Sequence, residues 1–303
     1  MRLTTALIAA MLASTAAFAV QASESRPASK VMAPTPRTGI AIAYGTDPLQ
    51  QLSLWPGIVA QQSGRTIDTP LIVFVHGGGW KRGSKDNATG AWKIEHYPGA
   101  GYAFASIDYR LVPRATVEQQ AQDVADAVKA LIADADKYHI DRRRIVLMGH
   151  SAGAHLVALV GTDARYLRAA GLSFADLAGV TPIDGAAYDV EQQLAQAGPL
   201  MRRTYATAFG SDLARQRALS PIVQAVAPNA PAFLLLHVQR VDGVVQNNAL
   251  EAALQKTGTR VERRDFPGEG LRGHMEINRR LGDPSYAPTA AVDGWLKTVV
   301  TKR

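Results

Sequence analysis

The stretch RIVLMGHSAGAHLVALVG, residues 144–161, holds the turn on which the rest of the chain can be read. Ile145 to Met148 form an apolar run with no polar residue interleaved, the pattern of a strand buried on both faces. From Ala154 the chain resumes as a compact, mostly apolar helix. Only Gly149-His150-Ser151-Ala152-Gly153 lies between them, so strand must pass into helix within five residues. Glycine at the first and last of these positions fits a bend where a β-carbon would meet neighbouring backbone. Ser151 at its apex would hold its hydroxyl above the sheet end. The free N–H groups of the helix start, with Ala152 first, would face any oxyanion formed there. Ser151 is therefore the candidate nucleophile.

Working outward, the pattern alternates short β-rich runs with longer helical ones. Strands are expected at LIVFV (71–75), YAFASIDY (102–109), VTPIDGA (180–186), AFLLLHV (232–238) and RVERRDF (260–266). Between the strands at 102–109 and 144–148 lies a helix over 116–139, where Val117, Ala121, Val124, Val128, Leu131 and Ile132 recur at three- and four-residue spacing. Further helices are expected near 246–256 and 290–300. Strands alternating with helices imply a mostly parallel sheet covered on both faces, an α/β fold. No internal repeat or linker interrupts residues 39–303, which read as one domain.

A second motif, His76-Gly77-Gly78-Gly79-Trp80, follows the strand LIVFV. Its glycines leave bare backbone, so Gly78 and Gly79 can bring N–H groups close to a ligand oxygen, at the chain position of an oxyanion loop. A serine hydroxyl also needs a base and a group that orients the base. Of seven histidines, His76 and His150 belong to the motifs, His155 lies one helical turn past Ser151, and His96 and His139 sit early in the chain. His237 lies within a strand and reads as a bonded core residue, leaving His274, in the loop expected after the last strand, as the base. Chain order nucleophile, acid, histidine admits three carboxylates. Asp242, after the strand AFLLLHV, is favoured, with Asp184 and Asp265 as alternatives.

Together HGGGW, IDYRLVP and GHSAGAHL resemble the α/β-hydrolase family, in its HGGG-bearing esterase branch. The likeness is to hormone-sensitive-lipase-like, feruloyl-esterase-like and arylformamidase-like enzymes, from about residue 40 to the C-terminus. It implies an eight-stranded sheet and hydrolysis of carboxylic esters, short-chain or aryl, through an acyl-enzyme. In that mechanism Ser151 attacks, His274 carries the proton, Asp242 orients it, and Gly78, Gly79 and Ala152 supply the oxyanion hole. An arylformamidase-type amide hydrolase is the alternative, and a non-catalytic binding protein on the same fold a remoter one. No cofactor is expected. Residues 187–220 could form a small cap over the pocket.

Other features narrow the function classes. With 47% apolar and 19% charged residues, the chain can build a sizeable core. Net charge is +7, but the basic residues are scattered without an aromatic-interleaved block, which argues against nucleic-acid binding. Absence of cysteine excludes thiol nucleophiles and cysteine metal sites. Gly268-Glu269-Gly270-Leu271-Arg272-Gly273 matches a dinucleotide fingerprint, yet 30 residues remain after it, too few for a nucleotide-binding half. A positive start, an apolar stretch and Ala17-Phe18-Ala19 mark residues 1–19 as a cleaved export signal, with 20–38 a disordered leader. The expected destination is the periplasm or the medium, without stable membrane insertion.

Overall fold

A computed structural model describes residues 34–301, apart from 36, 59–60 and 63–64. The expected export signal and nearly all of the leader lie outside the described residues.

The main sheet contains β1 (Ile40–Ala43), β2 (Gln51–Trp55), β3 (Thr69–Val75), β4 (Ala103–Ile107), β5 (Ile140–His150), β6 (Leu177–Ile183), β7 (Ala232–Gln239) and β8 (Arg260–Glu269). Their spatial order is β1-β2-β4-β3-β5-β6-β7-β8. β2 alone runs against the rest, antiparallel to both neighbours, while every pair from β4 to β8 is parallel. The helices that frame the core and the site are α1 (Ala91–Gly99), α2 (Val117–Ala133), α3 (Ala152–Thr162), α4 (Val190–Gln196), α5 (Pro199–Phe209), α6 (Leu213–Ala218), α7 (Val241–Lys256), α8 (Gly270–Arg280) and α9 (Ala287–Val299).

Strand periodicity divides the apolar runs between two cores. On β3, Leu71, Val73 and Val75 point into the core shared with α2 and α3, while Ile72 and Phe74 point into the opposite one, shared with α1, α8 and α9. Such two-sided burial accounts for runs without polar alternation. α2 buries Val117, Ala121, Val124, Val128 and Leu131 along one stripe, as their spacing predicts. Its start is fixed by a capping box: Thr116 Oγ1 accepts from the Gln119 N–H, and the Gln119 side chain accepts from the Thr116 N–H.

Two expectations change. The segment carrying His274 is not a loop but helix α8. Gly268 and Gly270 adopt φ of 138° and 52°, turning the chain directly from β8 into that helix. Its buried side is Gly273, His274, Ile277 and Asn278, a helical spacing disguised by its polar residues. The 116–139 stretch also stops short as one helix, α2 ending at Ala133.

β3, β5, β6, β7 and β8 all point their C-terminal ends to one edge of the sheet. The HGGGW loop, Ser151, Asp184, Arg240 with Asp242, and His274 follow those ends in turn. That edge is where parallel α/β sheets hold their ligands.

Candidate active site

Ser151 stands between β5 and α3 with φ 57° and ψ −117°, a backbone state that costs a side-chain-bearing residue energy. Its neighbours hold it there. The Ser151 N–H donates to the Ile183 carbonyl at 3.0 Å, and the Ser151 carbonyl accepts from the His155 N–H at 3.2 Å. Both motif glycines are obligatory. A β-carbon at Gly149 would sit 2.3 Å from the Gly153 carbonyl oxygen, and one at Gly153 only 2.1 Å from that of Val75.

His274 enters from α8. Its Nδ1–H donates to Asp184 Oδ2 at 2.5 Å, which leaves Nε2 as the lone-pair nitrogen. Its ring lies 4.5 Å from that of His150, the residue before the serine. His150 in turn donates from Nε2 to the His274 carbonyl at 2.9 Å, so the elbow itself locates the helix that carries His274. Burial keeps His150 uncharged, its pKa far below the ordinary histidine value, with the nearby His274 acting in the same direction.

The carboxylate that meets His274 is thus Asp184, not Asp242. Asp184 sits in the turn directly after β6, next to the serine-bearing strand, with φ 45° and a fully buried side chain. Asp242 lies in the first turn of α7. Its carboxylate is 37% exposed, 3.6 Å from Arg240 and 3.4 Å from the Gln193 amide. Asp265, the other alternative, lies within β8 opposite His237. Around Asp184 the Val238 N–H donates to Oδ1 at 3.0 Å, and Arg240 Nε stands 3.0 Å from Oδ2. Burial pushes the Asp184 carboxyl up, but the His274 hydrogen bond, the Arg240 charge and the Val238 N–H together outweigh it. The group ends below the usual carboxylate range, ionised. A sequence signal for it existed: an Asp-Gly pair at the end of a buried strand, one of the few residue types that tolerates positive φ.

The glycine loop closes the other side. A β-carbon at Gly77 would lie 2.9 Å from Ser151 Cβ, so loop and elbow are in contact. Gly78 has φ 128° and would drive a β-carbon to 1.9 Å from the Arg82 carbonyl oxygen. The N–H groups of Gly78, Gly79 and Ala152 bond to no acceptor among the described residues. Beneath them His76 donates from Nδ1 to the Gly77 carbonyl at 2.7 Å and stacks on Tyr109 at 4.3 Å, whose hydroxyl bonds the His76 carbonyl. Burial pushes His76 down to about 4, so it supports the loop as a neutral ring.

Residues 187–220 do form a helical excursion, α4 to α6, and it touches this loop. Thr204 of α5 faces Gly79, whose β-carbon would lie 2.9 Å from Thr204 Cγ2, and Lys81 Nζ reaches Thr204 Oγ1 at 3.3 Å. Trp80 inserts between α3 and α5, 5.4 Å from the His155 ring and 4.8 Å from that of Phe209. Arg202 and Arg203 line an open cleft of about 560 Å³ with Ala197, Pro199 and Ala206, a lining that does not include Ser151. His237 is a bonded core residue, Arg263 Nη1 lying 3.0 Å from its Nε2. Among the described residues no cluster of histidine and carboxylate side chains is arranged to hold a metal, and no helix is long and apolar enough to cross a membrane.

A sheet in this strand order, with a strained serine after β5, a buried acid–histidine pair and a glycine-rich loop after β3, defines an α/β-hydrolase. Residues 58–254 match the BD-FAE family, and the chain belongs to it. It is similar to esterase LipC of Mycobacterium tuberculosis, 35% identical over 124 residues, which are 41% of this chain and 30% of that one. It is similar also to the probable isoprenylcysteine alpha-carbonyl methylesterase ICME of Oryza sativa, 34% identical over 119 residues, 39% of this chain and 27% of that one. The match thus spans less than a third of either relative's length. Among solved structures, inhibited esterase B from Lactobacillus rhamnosis superposes with a TM-score of 0.70 at 20% identity, over 88% of this chain and 89% of that one. Thermogutta terrifontis esterase 2, phosphonylated by sarin, gives 0.70 at 20%, over 88% and 97%. At such identities the likeness speaks for the fold.

Proposed function

We propose that this chain is a serine carboxylesterase acting on small-molecule esters with short acyl chains or aryl groups. The observation that carries the reading is the buried His274–Asp184 pair, locked by His150 onto the elbow that holds Ser151 in a strained turn. Asp184 fixes the imidazole with Nδ1 protonated, so Nε2 takes the proton of Ser151 as its oxygen attacks the ester carbonyl. The resulting oxyanion is met by N–H groups of Gly78, Gly79 and Ala152, already oriented and not spent on other acceptors. His274 then returns the proton to the departing alcohol, leaving an acyl-enzyme on Ser151. Water, deprotonated by the same nitrogen, releases the acid by the reverse sequence. The imidazolium formed in each half-reaction rests against the Asp184 carboxylate, and Arg240 holds that carboxylate in place. No step calls for a cofactor.

Ester hydrolysis is also what the names of the curated relatives describe. The contact of α5 with the oxyanion loop favours compact substrates, since Thr204 stands directly against Gly79. We further infer, from residues 1–19, that the chain is exported to the periplasm or the medium. Hydrolysis of p-nitrophenyl esters from acetate to palmitate, by wild type and Ser151→Ala, tests the activity. Short esters turned over by wild type alone support it; equal rates in both, or none in either, overturn it. Mass spectrometry of secreted protein beginning near Val20 would support export.

A further inference from the structure

Lys93 is fully buried in α1, and no carboxylate answers it among the described residues. Its ammonium spends all three protons on uncharged oxygens: the Thr89 carbonyl at 2.7 Å, the Asn278 side chain at 3.0 Å and the Asn278 carbonyl. The Phe74 ring centroid lies 5.0 Å away. Asn278 completes the knot by donating from Nδ2 to the Ala88 carbonyl at 2.9 Å. Gly90, at φ 90°, is the residue that lets the 88–90 segment wrap this close; its β-carbon would lie 3.3 Å from both Lys93 Nζ and the Asn278 carbonyl oxygen. Asn278 stands four residues beyond His274 on the same face of α8, and both are buried. One turn of helix therefore carries the base at one end and this cation-centred knot at the other.

We propose that Lys93 is a positioning residue for the hydrolytic reaction: its ammonium ties α8 to the 88–90 segment and so sets where His274 meets Ser151 and Asp184. The inference rests on the esterase reading above. A buried cation with no counter-ion is a costly tether compared with an apolar contact, and it differs from one in demanding three acceptors in fixed directions. A neutral amine has two protons and a lone pair, so one of the three oxygens would lose its donor and face that lone pair.

Burial pushes the Lys93 amine down to about 7. β3 faces it with Phe74, the 88–90 segment with carbonyl oxygens and α8 with Asn278. The ionisable group coupled to it by charge is His150 at the end of β5, itself kept neutral. Since a free lysine titrates near about 10.4, the unfolded chain binds this proton more tightly, and folding stability rises with pH between the two values. Loss of the knot should instead lower turnover as pH rises through about 7. The two effects have opposite sign, which separates positioning from plain stability.

The test compares wild type, Lys93→Met and Asn278→Asp on p-nitrophenyl acetate, with Ser151→Ala as the blank, across pH 6 to 10 (roughly the interval in which a buried lysine would titrate). Lys93→Met should lower kcat by about 10²-fold, the scale of a misplacement near 1 Å, with KM within about twofold. Asn278→Asp gives Lys93 a counter-charge and should move the alkaline fall of kcat upward by about one unit. Wild-type kcat in Lys93→Met would overturn the proposal. Should that variant not fold, an alkaline limb unmoved by Asn278→Asp would overturn it alone. Absence of hydrolysis by wild type above the blank is a different failure, that of the esterase reading.

Discussion

Replacing Asp184 by Asn should abolish most turnover, whereas the same change at Asp242 should scarcely alter it. The Asp184 side chain is fully buried and 2.5 Å from His274 Nδ1. When His274 takes the serine proton, imidazolium and carboxylate charges stand about 4 Å apart between centres, worth about 4 kcal/mol at an effective dielectric near 20. Losing that amounts to roughly 10³-fold in rate. The amide can also accept or donate, so it no longer dictates which imidazole nitrogen is protonated; with that loss included, the fall approaches about 10⁴-fold. Asp242, partly exposed and 3.6 Å from Arg240, contributes at most a weak ion pair, and its Asn variant should keep kcat within about threefold. Steady-state hydrolysis of p-nitrophenyl acetate by both variants reads this directly. A large loss in Asp242→Asn with Asp184→Asn still active would refute the assignment and restore the expectation drawn from chain order.

Three further outcomes follow from the same structure. Gly78→Ala must move the Arg82 carbonyl, which its β-carbon would meet at 1.9 Å, and should lower kcat about 10²- to 10³-fold by displacing an oxyanion donor; steady-state kinetics on folded protein would show it. Thr116→Ala removes the α2 capping box and should cost about 1 kcal/mol in urea unfolding while leaving KM untouched. Because the Asp184 carboxyl is held below its ordinary range, it stabilises the fold above that range, and the contribution disappears as pH falls through the lowered value. Unfolding curves at descending acid pH should therefore converge for wild type and Asp184→Asn.

The sheet and the strained serine turn were legible because each rests on local chemistry. Apolar runs such as Leu71–Val75 and Ile145–Met148 are continuous since both faces of those strands are covered, and Gly149 and Gly153 are forced by backbone at 2.3 and 2.1 Å. His274 was reachable by elimination among the histidines. The acid was not, because three carboxylates satisfy the chain order and only the packing of β6 between β5 and β7 brings Asp184 beneath the histidine. α8 escaped notice since its buried side joins Gly273, His274 and Asn278 to the single apolar Ile277 rather than forming an apolar stripe. Arg240 and Lys93 carry no motif, and His150 fills only a free position of one. Their roles arise from partners 56, 124 and 185 residues away in the chain, a separation no local pattern encodes.

The central claim is that Ser151 is the nucleophile and that His274 with Asp184 makes it one. Incubation of the wild-type chain with a p-nitrophenyl alkylphosphonate, followed by intact-mass and peptide mass spectrometry, tests it most directly. The account predicts one phosphonyl group per chain, located on Ser151, with release of p-nitrophenolate slowed severely in Asp184→Asn and absent in Ser151→Ala. Label on another residue, or equal labelling of wild type and Ser151→Ala, would contradict it.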